Sequence, residues 1–142
     1  MIPFDQFARI NAVTIAVLIA FVSLTPSPDD LAPANDWSRW VAEWVLGDPM
    51  KGDKVSHFLA YAALGCFSGL GWNRPYGRGF IAGAIVFGYS GAMEILQGFV
   101  ATRTSDPADM MANGLGILLG IAIAFAFSPV VKFLPFFRPE PR

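Results

Sequence analysis

Three short stretches of the 142-residue chain hold most of the side chains that could bind a polar substrate or move a proton. Imidazole and carboxylate groups exchange protons with bound substrates, and our candidate catalytic residues are His57, Glu94 and Asp109. Basic, amide, phenol and further carboxylate groups orient a substrate through charge and hydrogen bonds. The candidate substrate-binding residues are Lys54, Tyr61, Gln97, Arg103, Asp106 and Asn113. Together these nine residues predict acid–base chemistry or polar recognition.

Other kinds of chemistry have less support in the sequence. The single cysteine, Cys66, lies in an apolar run, which excludes an intrachain disulfide and a cysteine-based metal site. A metal-binding variant of the site would use His57, Glu94 and Asp109, and one histidine among carboxylates suits a weak or hard-cation site better than zinc. We name no metal ligands. A serine or cysteine nucleophile motif is also missing, which disfavours acyl transfer. We assign no cofactor.

The composition indicates that lipid is the solvent for much of the chain. Hydrophobic residues make up 54% of the sequence, charged residues make up 15%, and the mean hydropathy is +0.49. A soluble domain of this size could not cover so much apolar surface. The formal net charge is only -1 and there is no basic run, so a nucleic-acid partner is excluded and membrane lipid is the expected one.

Four apolar runs are long enough to approach the roughly 20 residues that a membrane span needs. They cover residues 10–25, 55–72, 80–99 and 110–127. Backbone groups in hydrocarbon must pair within their own segment, so the predicted fold is all-α, a bundle of four transmembrane helices in one domain, residues 1–142. The first run resembles a secretory signal peptide in length, but Pro26 and Pro28 favour a helix stop, and we predict a retained span. The spacing of Gly65 with Gly69, and of Gly116 with Gly120, predicts close helix packing.

A tryptophan-rich segment separates the first two runs. Trp37, Trp40 and Trp44 recur at helical spacing, whereas the charged residues of the segment fall on other faces. Indole rings favour the headgroup zone of a bilayer. The pattern predicts a short interfacial amphipathic helix over residues 36–46, and the alternative is a loop with the tryptophans packed beneath it.

The distribution of basic residues predicts the orientation. In a four-span arrangement one side carries six of the ten basic residues, namely Arg9, Arg74, Arg78, Lys132, Arg138 and Arg142. The other side carries the remaining four, Arg39, Lys51, Lys54 and Arg103. Because basic residues are retained in the cytoplasm, we predict an inner-membrane protein with both termini cytoplasmic.

This topology brings the polar stretches to one level. The starts of the second and fourth spans and the end of the third all lie on the outer side, so the nine candidate residues are expected to form one outward-facing site. Ionisable groups within spans are costly and often functional. The alternative is a structural polar lock, in which Glu94 pairs with Lys54 or Arg103 and the amides hydrogen-bond between helices.

The polar stretches also carry a family resemblance. Residues 53–61 (DKVSHFLAY), 94–97 (EILQ) and 103–116 (RTSDPADMMANGLG) resemble, in order and spacing, the VanZ-like family of bacterial integral membrane proteins. The resemblance implies a multi-span envelope protein related to glycopeptide (teicoplanin) resistance, and it implies no particular reaction. Pro107 is a departure from the pattern, expected to tighten the start of the fourth span.

Three functions are compatible with these observations. The first is an enzyme acting on a lipid-linked or peptidoglycan-related envelope substrate, with His57 as general acid or base and Lys54 and Arg103 holding a phosphate or carboxylate. The second is a non-enzymatic binding or shielding protein that uses the same pocket. The third is a small four-helix transporter, which ranks last because Glu94 lies away from the midplane. An oligomer is compatible with all three.

Overall fold

The described part of the chain is entirely helical. The computed structural model describes residues 3–26, 33–72, 78–100 and 106–131, without the side chains of residues 33–35, 78 and 131. Its five α-helices are α1 (Phe4–Leu24), α2 (Pro33–Leu46), α3 (Gly52–Gly71), α4 (Arg78–Gln97) and α5 (Pro107–Val131), and a 3-10 turn, Pro49–Lys51, precedes α3. No strand occurs in these ranges, which confirms the all-α prediction.

Three of these helices are long and apolar enough to cross a membrane. They are α1, α4 and α5, whose most apolar windows have mean hydropathies of 2.1, 1.5 and 2.0. The helix α3 has 20 residues, but Asp53, Lys54 and His57 occupy its first turns and lower its hydropathy. The structure therefore supports three candidate spans, and the fourth span stays a prediction.

The helix ends agree with the apolar runs to within six residues. α1 stops at Leu24, just before Pro26, as the sequence predicts, but it begins at Phe4 rather than residue 10. α5 continues through Pro129 to Val131, past the predicted end at residue 127. A proline this close to the end of a helix removes one late hydrogen bond without breaking the turns before it.

The helix α3 lies at the centre of the bundle. It contacts α1, α2, α4 and α5, and its contact with α5 is the most extensive. α3 and α5 run parallel, since Lys54 and Asp109 meet near the start of both helices. α1 runs antiparallel to α3, because Arg9 near its start donates from Nε to the carbonyl oxygen of Gly71 at the end of α3, at 2.8 Å.

Glycines bring the backbones of α3 and α5 into direct contact. A Cβ atom on Gly116 would collide with the carbonyl oxygen of Phe58, and one on Gly120 would collide with that of Ala62. On the facing helix, a Cβ on Gly65 would lie 2.8 Å from the carbonyl oxygen of Ile117. The predicted close approach at these glycines is confirmed, and it fixes the separation of α3 and α5.

The tryptophan segment forms the helix α2, which includes the predicted residues 36–46. The face of α2 that packs against the rest of the protein carries the small, buried residues Ser38 and Ala42. Trp40 and Trp44 are exposed and stack on each other with ring centroids 6.5 Å apart. The alternative of a loop with buried tryptophans is therefore wrong, while the position of α2 relative to the membrane stays a prediction.

Candidate functional site

A lysine joins the starts of α3 and α5. The Nζ atom of Lys54 lies 2.8 Å from Asp53 Oδ2, 2.7 Å from Asp106 Oδ2 and 2.6 Å from Asp109 Oδ1. The ammonium group donates hydrogen bonds to Asp53 and Asp106, and it forms an ion pair with Asp109. The side chain is mostly enclosed, with 22% of its surface exposed. Lys54 therefore acts as a fixed cation that gathers the acidic groups of two helices.

Next to this lysine, one turn further along each helix, a histidine meets an amide. His57 Nδ1 lies 3.0 Å from Asn113 Oδ1. Because an amide oxygen only accepts, Nδ1 carries a proton, and in the neutral imidazole Nε2 keeps its lone pair. Nε2 lies 4.0 Å from Asp109 Oδ2, which is too long for a hydrogen bond. The polar network thus has a gap of 4.0 Å between His57 Nε2 and Asp109 Oδ2.

Asp106 connects three elements through three different atoms. Its Oδ1 accepts from the backbone N–H of Ala108 at 2.9 Å and so caps α5, whose first residue is Pro107. Its backbone N–H donates to Glu94 Oε1 at 2.7 Å, which ties α5 to the end of α4. The hydrogen bond from Lys54, and after it the one from Ala108, hold the pKa of Asp106 below its usual range. Asp106 is thus ionised and structurally engaged.

The last turns of α4 contribute two buried polar side chains, Glu94 and Gln97. Glu94 is 6% exposed, and its second oxygen, Oε2, has no hydrogen-bond partner among the described residues. The polar-lock alternative pairs Glu94 with Lys54 or Arg103. Within this part of the chain Glu94 accepts a hydrogen bond from Asp106 and none from Lys54. Arg103 lies outside the described residues.

Tyr61 lies below the polar cluster, one turn after His57 on α3. It is 2% exposed and belongs to the hydrophobic core, with its ring centroid 6.4 Å from that of Tyr89 on α4. Its ring therefore forms the floor between the polar end of the bundle and the apolar interior. A role for Tyr61 in substrate binding stays a prediction.

The structure brings together six of the nine candidates. Contacts within about 4 Å connect Lys54, His57, Glu94, Asp106, Asp109 and Asn113. Asp53 was not a candidate, but it joins the cluster through its ion pair with Lys54. Its position directly before that lysine could have identified it from the sequence. In the described ranges no group of three His, Cys, Asp or Glu residues has metal-binding geometry, and the ammonium of Lys54 stands between the carboxylates.

Comparison with known proteins extends the resemblance seen in the polar stretches. A sequence profile of the VanZ/LLP1 family matches residues 1–128, which includes α1, α2 and the whole polar cluster. Searches of curated proteins and of solved structures found no match. Since the profile covers far more than half of the 142 residues, the chain belongs to the VanZ/LLP1 family.

Proposed function

We propose that this VanZ-like membrane protein binds and acts on a lipid-linked or cell-envelope molecule at an outward-facing site formed by the ends of α3, α4 and α5. The observation that carries the proposal is the 4.0 Å gap between His57 Nε2 and Asp109 Oδ2. A hydroxyl or amine that lies to one side of the line joining these two atoms would be within hydrogen-bond distance of both. Sugar hydroxyls and amino groups of envelope precursors have this chemistry.

The same geometry suits general base catalysis. His57 Nε2 would take the proton of the bound donor, and Asp109 would stabilise the imidazolium that forms. Asn113 acts as a positioning residue, because its oxygen selects the tautomer with a free Nε2. Glu94 positions Asp106, and through it the start of α5. Since the three carboxylates already engage Lys54, an anionic group on the substrate would depend on Arg103.

A non-enzymatic binding protein is the second candidate, and the pairing of Lys54 favours it. Within the described part of the cluster the positive charge of Lys54 is already balanced by carboxylates, so it offers little stabilisation to a negative charge that develops in a reaction. Such a protein would shield an envelope molecule by holding it, consistent with a role in teicoplanin resistance. Stable binding of a peptidoglycan lipid precursor without its conversion would decide for this candidate.

Substitutions at the gap test the functional site. We expect His57→Gln, Glu94→Gln and Asp109→Asn to insert and fold, with melting temperatures within a few degrees of the parent, and to abolish any protection against teicoplanin in cells that express the protein. Arg103→Lys should be impaired as well, because the planar fork of donors is gone. Asp53→Asn is the matched control, since Asp53 contacts Lys54 but lies outside the gap, and it should keep its function.

Two outcomes would contradict the functional site. Parallel loss of folding in the His57, Glu94 and Asp109 variants would leave only the polar lock. Unchanged protection and unchanged binding of the lipid precursor in all three would show that the gap has no function.

The proposed topology has four spans, with α3 crossing the inner membrane beside α1, α4 and α5 and both termini in the cytoplasm. Its support is the length of α3, its central place among three apolar helices, and the six-to-four distribution of basic residues. In a Cys66→Ala background, an impermeant thiol reagent applied to whole cells should label a cysteine at position 36 but not one at position 140. The opposite pattern would invert the orientation.

We also propose that α2 lies in the headgroup zone on the outer surface. Exposed Trp40 and Trp44 point away from the protein, which suits an interfacial helix. Lipid-soluble quenchers at headgroup depth should therefore quench the fluorescence of these tryptophans strongly. Quenching by aqueous iodide alone would place α2 in water.

A further inference from the structure

An apolar groove lies between α1, α3 and α4, on the far side of Tyr61 from the polar cluster. It has a volume of about 470 Å³, within the range of small-molecule sites. Its lining includes Ala12 and Ala16 of α1, Leu64 and Trp72 of α3, and Ala82 and Ile85 of α4. Because α1 and α4 are both apolar enough to span a membrane, we expect the groove to open into hydrocarbon.

The groove is closed at the end nearer the polar cluster. There the hydroxyl of Tyr89 on α4 donates to the carbonyl oxygen of Ala16 on α1 at 2.6 Å. This bond holds the two helices together across the groove, so a further helix, about 10 Å wide, could not lie along it. The occupant must be thinner than a helix, as a single hydrocarbon chain is.

The opposite end of the groove carries a positive charge. Trp72 lines this end, and Arg9 Cζ lies 5.7 Å from the centroid of its ring. Arg9 donates one hydrogen bond to Gly71 and forms an ion pair with Asp5 at 3.3 Å. Its half-exposed guanidinium has further N–H groups that can bind an anion. An arginine beside a tryptophan at the end of apolar helices suits an anionic headgroup at the bilayer surface.

We propose that this groove binds one hydrocarbon chain of an anionic phospholipid whose phosphate lies at Arg9. The site is separate from the polar cluster, since His57 and Trp72 are about 22 Å apart along α3. It therefore does not depend on the proposed function. The lipid would fill the space between α1 and α4 and stabilise the end of the bundle opposite the polar site.

Native mass spectrometry of the detergent-purified protein tests the proposal, with phosphatidylglycerol and phosphatidylcholine as the two probes. The parent protein should retain one phosphatidylglycerol per chain and prefer it about fivefold over phosphatidylcholine, the effect expected of one basic residue near a phosphate. Arg9→Gln should remove this preference, because a glutamine can still donate to Gly71 but has no charge. Asp5→Asn should increase it, since the competing carboxylate is gone.

Variants that obstruct the groove should reduce retention of both lipids at least fivefold. Ala82→Phe fills the groove from within, and Ile85→Trp covers it from an exposed position, so the second variant serves if the first does not fold. Leu118→Trp is the matched control, because Leu118 is 68% exposed on α5 and Ile85 is 67% exposed. This control should retain lipid like the parent.

Three results would overturn the proposal. The first is full lipid retention in Ile85→Trp, and the second is equal retention of the two lipids by the parent protein. The third is a dimer that Ile85→Trp converts to a monomer without a change in bound lipid, which would make the groove a contact between two copies of the chain.

Discussion

The two halves of α3 are joined to α5 in different ways. In its first turns the contact is made by side chains, with Lys54 on Asp109 and His57 on Asn113. Further along, the contact is made by backbone, where Gly116 and Gly120 leave no room for a Cβ atom. Where the two backbones touch, only one distance between α3 and α5 is possible. Where side chains make the contact, a change of rotamer could accommodate a different distance. The glycine half therefore sets the distance at which the polar residues face each other.

The largest effect should come from the glycine half. Gly116→Leu places a side chain against the carbonyl oxygen of Phe58, and backbone in a packed helix cannot move aside as a flexible side chain can. We expect a destabilisation of about 3 kcal/mol or more, with most of the protein failing to fold. Thermal unfolding in detergent and the yield of monodisperse protein measure it.

The control for that substitution is Gly88→Leu on α4. Gly88 has no heavy atom within 4 Å of the position of a Cβ, so the added side chain would extend into lipid. Its melting temperature should match or exceed that of the parent. A comparable loss in both variants would show that the tight contact between α3 and α5 is not what holds the bundle together.

A smaller effect is expected at the side-chain half. Lys54→Met removes the cation that Asp53, Asp106 and Asp109 share. The cost should be about 1–2 kcal/mol, less than for a fully buried pair because two of the carboxylates are about half exposed. Chemical denaturation of the purified protein measures the difference. Lys51→Met, at a solvent-exposed ion pair with Asp48, should change stability much less, and equal costs would contradict the central role of Lys54.

The smallest effect is a dependence on pH at the junction of the two helices. Asp106→Asn keeps the cap of α5, because asparagine also caps, but it removes the charge that Lys54 faces. The pKa of Asp106 is lowered from its usual 3.8 in the folded protein, so the charge stabilises the fold above pH 3.8. That stability is lost as the pH falls through the lowered pKa.

The measurement is the difference in melting temperature between the parent and Asp106→Asn. The parent should melt higher from pH 7 down to about pH 4, and the difference should shrink progressively in more acidic buffer. Carboxylates that do not contact Lys54 titrate alike in both proteins and cancel in the comparison. A difference that persists undiminished in strong acid, or one that is absent at pH 7, would show that the ion pair with Lys54 does not stabilise the junction.

Several features of the site could be predicted from residue spacing. The antiparallel order of successive helices placed Lys54, His57, Glu94 and Asp109 at one end, because short connections between helices leave no other arrangement. Pro107 was expected to tighten the start of the fourth span, and α5 begins at this proline. The ion-pair partners could not be predicted, because several carboxylates near this end of the bundle were available to Lys54 and to Arg103 alike.

Hydropathy and helical period are local properties, so residue patterns alone predicted the helices, the apolar segments that suit lipid and the gathering of polar residues at one end. Glycine spacing likewise predicted the close helix packing. Residue patterns did not predict that Glu94 bonds the start of α5 rather than Lys54, or that a gap separates His57 from Asp109. These depend on distances between helices, which are set by packing along their whole length and by no single residue pattern.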